Sequence, residues 1–219
     1  MIPAYFAGRL IYKFYYHAFE KRGDESLQGL AFFFGILFII EVALLLIFGV
    51  DYRFVEARYI GPTISIGFIS IPLRLLVPLA AGVAVVGGIM LFLSRSFIGR
   101  AIQAVSQDTL AVRLIGANPV RVKEIAFGIS IATAVLSGAL LIIIQPIEPS
   151  VGRDFIGRAF AITVLGGMTS LPGTVVAALI LGISESLTAT FLGPSWSPAI
   201  AFGLLLVTLA VRPAGIFGR

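Results

Sequence analysis

The chain has 219 residues, 58% of them hydrophobic and 12% charged, with a mean hydropathy of +1.04 and a formal charge of +5. That hydropathy excludes an ordinary soluble domain, and with no cysteine there is neither a disulfide framework nor a Cys-based metal or redox site. The basic residues fall between apolar runs, so the positive charge reads as orientation in a bilayer rather than affinity for nucleic acid.

Met1–Phe19 is interrupted by Arg9 and Lys13 and lacks the clean apolar core of a cleavable signal. His17, the single histidine, sits among Tyr15, Tyr16 and Phe19, a pattern that suits an interfacial aromatic belt and offers no metal or triad partner. A bilayer-spanning helix needs roughly 20 mostly apolar residues. Leu27–Gly49 is the first run that qualifies, and Ile71–Leu93 is the second. Glu41 lies inside the first. An ionisable group at membrane depth costs roughly 2.5–3.5 kcal/mol on insertion scales, which makes Glu41 a candidate pathway residue.

Next comes a 29-residue break, Arg95 to Lys123, with Arg95, Arg100, Arg113, Arg121 and Lys123 against one acid, Asp108. A short connector would have turned the chain around. From Gly99 to Ile115 the pattern predicts instead a short amphipathic helix along the membrane surface. Its apolar residues are Ile102, Val105, Leu110, Val112, Leu114 and Ile115; Gln103, Ser106, Gln107, Asp108 and Arg113 are polar. Gly116 is placed to end it, because glycine accepts the left-handed conformation at a helix C-terminus. Asn118–Pro119 reads as the cap and first residue of the next helix. A solvated interfacial loop would share these features.

Ile125–Gln145 is the third apolar run. A fourth region, Ala159–Leu192, is broken by Pro172–Gly173, and a fifth runs from Pro198 to Val211. The fourth predicts a re-entrant pair, with Ala159–Gly166 dipping toward the midplane, Gly167–Gly173 turning and Thr174–Leu192 returning. Three short, tilted crossings are the other reading. Gly166, Gly167, Ser170, Pro172 and Gly173 then either line a pathway or are buried against neighbouring helices. Two stripes of small residues at a spacing of four, Ala126–Ser130–Ala134–Gly138 and Thr174–Ala178–Gly182–Ser186–Thr190, suit close helix packing. Packing within the chain is the favoured reading over a dimer contact. Glu185 lies beside the second stripe, as a helix–helix hydrogen bond or a pathway group.

With the Arg95–Lys123 loop in the cytoplasm, Arg9, Lys13, Lys21, Arg22, Arg212 and Arg219 join its five basic residues inside, eleven in all. Four fall outside: Arg53, Arg58, Arg153 and Arg158, balanced by Asp51, Glu56, Glu148 and Asp154. The positive-inside rule favours this orientation, with both termini cytoplasmic.

Three runs carry a family resemblance. GRAIQAVSQDTLAVRLIGANPVRVKEIAFGISIATAVLSGALL resembles the cytoplasmic loop and following helix of inner-membrane permeases of branched-chain amino acid ABC transporters. GRAFAITVLGGMTSLPGTVVAALILGISESL resembles their GG-x-x-S-x-PG segment, and FGLLLVTLAVRPAGIFGR their C-terminal RP-x-G-x-FG signature. The order is the family's, and the likeness covers roughly Leu10 to Arg219. It implies an all-α polytopic transmembrane bundle with a re-entrant or broken helix region and a cytoplasmic coupling helix, the whole forming one permease domain. It also implies that residues 95–123 dock into an ATPase subunit, with Ala104, Asp108, Ala111, Arg113, Gly116 and Asn118 as coupling residues. The implied partners are ATP-binding cassette subunits, a homologous second permease, a periplasmic solute-binding protein and the lipid bilayer; no cofactor is called for. Family members usually begin with further membrane helices and a short N-F-A-H-G-like motif, so the chain, opening MIPAYFAGRLIYKFYY, is expected to be N-terminally short.

No G-x-x-x-x-G-K-[ST] phosphate loop occurs, so ATP hydrolysis falls to another chain. An intramembrane enzyme using Glu41 or Glu185 lacks a paired His, Ser or metal constellation. The expected activity is import of branched-chain or related small amino acids. A truncated scaffold that pairs with a full-length permease, or a permease for urea or short amides, is the alternative.

Overall fold

The computed structural model describes residues 1–20, 27–55, 63–66, 69–212 and 214–217. Lys21, Arg22, Glu56, Arg58, Pro213, Gly218 and Arg219, used in the orientation count or the C-terminal signature, lie outside the described residues. The helices are α1 (Ile2–Ala18), α2 (Leu27–Phe48), α3 (Leu73–Arg95), α4 (Phe97–Gln107), α5 (Thr109–Leu114), α6 (Pro119–Ile144), α7 (Gly152–Gly166), α8 (Leu171–Phe191) and α9 (Ser197–Val211). Strands β1 (Thr63–Ile66) and β2 (Ile69–Pro72) pair antiparallel, with Thr63 opposite Pro72 and Ile66 opposite Ile69. By length and composition, five helices can cross a membrane: Gln28–Phe48, Leu73–Arg95, Pro119–Ile144, Leu171–Phe191 and Pro194–Val211. The chain divides into two compact units, Met1–Pro149 and Ser150–Arg219.

In the first unit α6 is the organising element. It begins six residues before the predicted apolar run, because Asn118 caps it and Pro119 occupies its first position, where a missing N–H costs nothing. α1 lies against it. Gly8 faces Gly128, where a Cβ on Gly8 would come within 3.0 Å of the Gly128 Cα, and Glu20 meets Lys123. These contacts fix the two helices antiparallel. The Lys13–Glu20 end of α1 is therefore level with the start of α6, and Met1 is the remote end. Of the N-terminal segment counted on the loop's face, the Lys13–Glu20 end is the part that lies beside the start of α6. At the opposite end of α6, Ile147 exchanges two backbone hydrogen bonds of 2.9 Å with Arg53, which follows α2. Loops placed on one face by their charges thus do meet.

In the second unit α7 packs on both α8 and α9. Ala161, Val164, Leu181, Ala201 and Leu205 form the core. The break in the fourth apolar region falls at Gly167–Ser170. Pro172 and Gly173 belong to the first turn of α8, where Ser170 accepts a hydrogen bond from the Gly173 N–H at 3.1 Å. Proline there is pre-set for the helix, so it starts α8 and does not interrupt it. α8 has 21 residues and is roughly 31 Å long, enough for a complete crossing.

Candidate functional site

The segment Ser96–Asn118 is built as a rigid corner. Ser96 caps α4 by accepting the Gly99 N–H at 2.8 Å. Gly99 is buried so close to the end of α3 that a Cβ would lie 2.4 Å from the Phe92 carbonyl oxygen. Where one helix from Gly99 to Ile115 was expected, there are two, divided at Asp108. This residue adopts extended backbone (φ −149°, ψ 104°) and ends α4 while capping α5. Its Oδ1 accepts the N–H groups of Leu110 at 2.8 Å and Ala111 at 3.0 Å. A short acid that can bond its own downstream backbone favours a cap over a helix interior, and that local bond prevails over the amphipathic period.

α5 ends as predicted at Gly116, in the left-handed region at φ +83°. The Gly116 N–H bonds Arg113 O at 3.0 Å and the Ala117 N–H bonds Val112 O at 3.2 Å, the paired closure of a Schellman motif. Asn118 then accepts Val120 N–H at 3.0 Å and Arg121 N–H at 3.5 Å to open α6. Within eleven residues three caps fix two changes of direction. Ala104, Asp108, Ala111, Arg113, Gly116 and Asn118, all singled out from sequence, are all exposed on this corner.

The sequence predicts one amphipathic helix carrying the apolar residues here. The structure divides them. Val105 and Val112 are buried, while Leu110, Leu114 and Ile115 are 68%, 80% and 80% exposed. Leu110 and Leu114 share a face of α5 at a spacing of four. An open cleft of about 410 Å³ lies alongside, lined by Tyr16, Arg113, Gly116, Ala117, Asn118, Pro119 and Val120. A backbone capped at each turn that presents apolar side chains next to a polar cleft can receive a protein partner at low ordering cost.

The other candidates separate. Glu41 is buried in α2 at 6% exposure. Glu185 accepts a hydrogen bond from Arg158 Nε at 3.0 Å, and the pair is partly buried between α7 and α8. This favours the helix–helix role for Glu185 and corrects the placing of Arg158 in a loop: it lies within α7, its guanidinium also 5.4 Å from the Phe155 ring centroid. Gly182 stands on the exposed side of α8, with nothing within 4 Å of a Cβ there.

Gly166, Gly167 and Gly173 have partners that the sequence did not disclose. A Cβ on Gly173 would lie 2.1 Å from the Gly166 carbonyl oxygen, so α7 and α8 approach backbone to backbone. The segment after α9 folds onto this turn. Ile216 N–H bonds Leu165 O at 2.8 Å, and a Cβ on Gly215 would lie 2.6 Å from Val164 O and from Gly167 N. Two of the three motifs behind the resemblance thus hold each other. The α7–α8 turn is therefore level with the exit of α9. α7 has 15 residues and is not among the helices long enough to cross, whereas α8 and α9 are, so the region is a short helix turned back into a spanning one, with these glycines at the close approach. The signal that could have found the contact is the pairing of glycine-rich motifs far apart in sequence, where backbone must meet backbone.

Comparison with known proteins covers the same elements. Residues 4–209 match the family model described as the permease component of the branched-chain amino acid transport system. The chain is 38% identical over 133 residues to the high-affinity branched-chain amino acid transport system permease protein BraD of Pseudomonas aeruginosa, over 60% of this chain and 43% of that one. It is 38% identical over 130 residues to the corresponding permease protein LivH of Escherichia coli, over 59% and 42%. To the permease protein LivM of Escherichia coli it is 36% identical over 126 residues, over 57% and 29%. The matched region is thus less than half the length of each of these relatives. No solved structure matches the chain.

Proposed function

The chain belongs to the family of branched-chain amino acid transport permease components, and on that premise we propose that it acts as a membrane-spanning permease subunit of an ABC importer. The cargo is a branched-chain or related small amino acid delivered by a solute-binding protein, and the drive comes from separate ATP-binding cassette subunits. A homologous permease completes the pathway, in the inner membrane.

The observation that carries this reading is the corner Ser96–Asn118. It joins α3 and α6, both long enough to cross a membrane, and exposes Leu110, Leu114 and Ile115 on a backbone fixed by Asp108, Gly116 and Asn118. A loop whose only task was to reverse the chain would need neither three caps nor an apolar face. The basic residues put this corner in the cytoplasm, where an ATPase would dock on it. Closure of the ATPases on ATP would then push the corner, and α6 would carry the displacement into the bundle. Alternating access requires such a two-state element biased from one side.

Co-purification in mild detergent with the ATPase encoded beside the chain tests this. Wild type is expected to retain the ATPase, and Gly116→Pro with Asp108→Arg to lose it. Retention by both places docking elsewhere and removes the corner's role. Retention by neither favours a partner that moves nothing.

A further inference from the structure

Just behind the corner, α1 is fastened to the first turns of α6 by contacts of three kinds. Glu20, directly after α1, accepts Lys123 Nζ on Oε1 and the Tyr12 hydroxyl on Oε2, the latter at 2.6 Å. Tyr12 is buried at 6% exposure, with its ring centroid 5.8 Å from that of Phe127 on α6. Arg9 reaches Glu124 at 3.5 Å, and Gly8 brings α1 against the Gly128 backbone. Each of the two segments contributes one acid and one base, Glu20 and Arg9 against Lys123 and Glu124. A slide of α1 by one helical turn would separate both pairs, so the charges specify one register.

We infer that Glu20 and Lys123, with Tyr12 behind them, are positioning residues for energy coupling: they make α1 and α6 a single lever, so that a push on the Ser96–Asn118 corner moves both. This rests on the permease reading above. The corner ends at Asn118, and Lys123 lies five residues further on, little more than one helical turn. A displacement of the corner that is passed into α6 therefore meets the Glu20–Lys123 contact within the first turns of that helix. The Gly8–Gly128 approach, flanked by Tyr5 and Ile131, sets the spacing of α1 and α6, and the charge pairs add a second lock on their register. Glu20 is 11% exposed and Lys123 34%, so the pair is shielded on the acid side and less screened than a surface pair.

The test uses the whole assembly, the chain with its second permease, ATPases and binding protein in lipid vesicles, with leucine as the probe. The readout is leucine imported per ATP hydrolysed. Glu20→Gln is expected to keep ATPase binding and hydrolysis near wild type while import per ATP falls about fivefold or more, and Lys123→Gln is expected to lower import per ATP to the same degree. The exchange Glu20→Lys with Lys123→Glu is expected to recover most of the loss. Tyr12→Phe keeps the ring packing and removes only the hydroxyl bond, so it gives a smaller fall and serves if the charge variants fail to assemble. Unchanged import per ATP in the single variants and in Tyr12→Phe overturns the inference. So does an exchange variant that is as stable as wild type and as poorly coupled as either single change. A wild-type assembly that hydrolyses ATP and moves no leucine overturns the permease reading itself, and the coupling role with it.

Discussion

Gly215 shows how much a single residue carries here. It sits at φ +84°, where a side chain is strained, and its missing Cβ points at two backbone atoms of the α7–α8 turn, Val164 O and Gly167 N, each 2.6 Å away. Backbone cannot yield as a flexible side chain would. The left-handed conformation alone costs an L-residue about 1–2 kcal/mol, and the contact adds to it. Gly215→Ala is therefore expected to lower the thermal midpoint of the purified chain by a few degrees or more. Gly203→Ala in α9 is the control: nothing lies within 4 Å of a Cβ there, and alanine favours a helix. It is expected to leave the midpoint unchanged or slightly raised. Equal loss in both variants would mean that the C-terminal segment does not hold the turn. The sequence placed Gly215 in the RP-x-G-x-FG signature and Gly203 outside it, but the physical difference is the backbone that Gly215 alone meets.

At the scale of elements, the corner asks whether Asp108 acts as a cap or as a charge. Asparagine caps a helix about as well as aspartate, whereas alanine loses roughly 1 kcal/mol. If the cap on α5 is what matters, Asp108→Asn retains the ATPase in co-purification and Asp108→Ala loosens it; loss with both variants would assign the role to the carboxylate charge. The elements were legible in unequal degree. Apolar runs gave α2, α3, α6 and α9 to within a few residues at most ends, because length and hydropathy are what a bilayer selects. Gly116 and Asn118–Pro119 were legible as punctuation for a chemical reason, the left-handed turn and the absent N–H. The division at Asp108 was not, since the apolar period runs on through Val105, Leu110 and Val112 and conceals a local hydrogen bond that overrides it. The β1–β2 pair was missed as well. The alternation in Ile64–Ser65–Ile66 is a strand signal, but so short a stretch was left in the connection before the Ile71–Leu93 run. Pro172 misled in the opposite sense, having been read as a break when it marks the start of α8.

For the molecule as a whole, the question is what covers the faces that the chain leaves bare. Packing within each unit uses other residues than the two small-residue stripes. In the first unit α6 buries Gly128 and Ala132, and Ser130, Ala134 and Gly138 are left exposed. In the second, α8 buries Gly173, Ala177, Leu181 and Thr188, while Ala178, Gly182, Ser186 and Thr190 are exposed. Within its own unit, most of each stripe is thus left unpacked. Spacing of four identifies a face but not its neighbour, and small residues occur on two faces of each of these helices. Small residues exposed along a membrane helix suit close approach of another helix better than contact with lipid tails, which gain nothing from a flat groove. A homologous permease is the partner this reading supplies. Gly138 and Gly182 provide the test, since both have open space around a Cβ. Gly138→Leu and Gly182→Leu are expected to leave the thermal midpoint of the isolated chain intact and to reduce recovery of the second permease in co-purification several-fold. Full recovery with both variants would assign these faces to lipid; a fall in the midpoint would mean that the space is filled from within the chain.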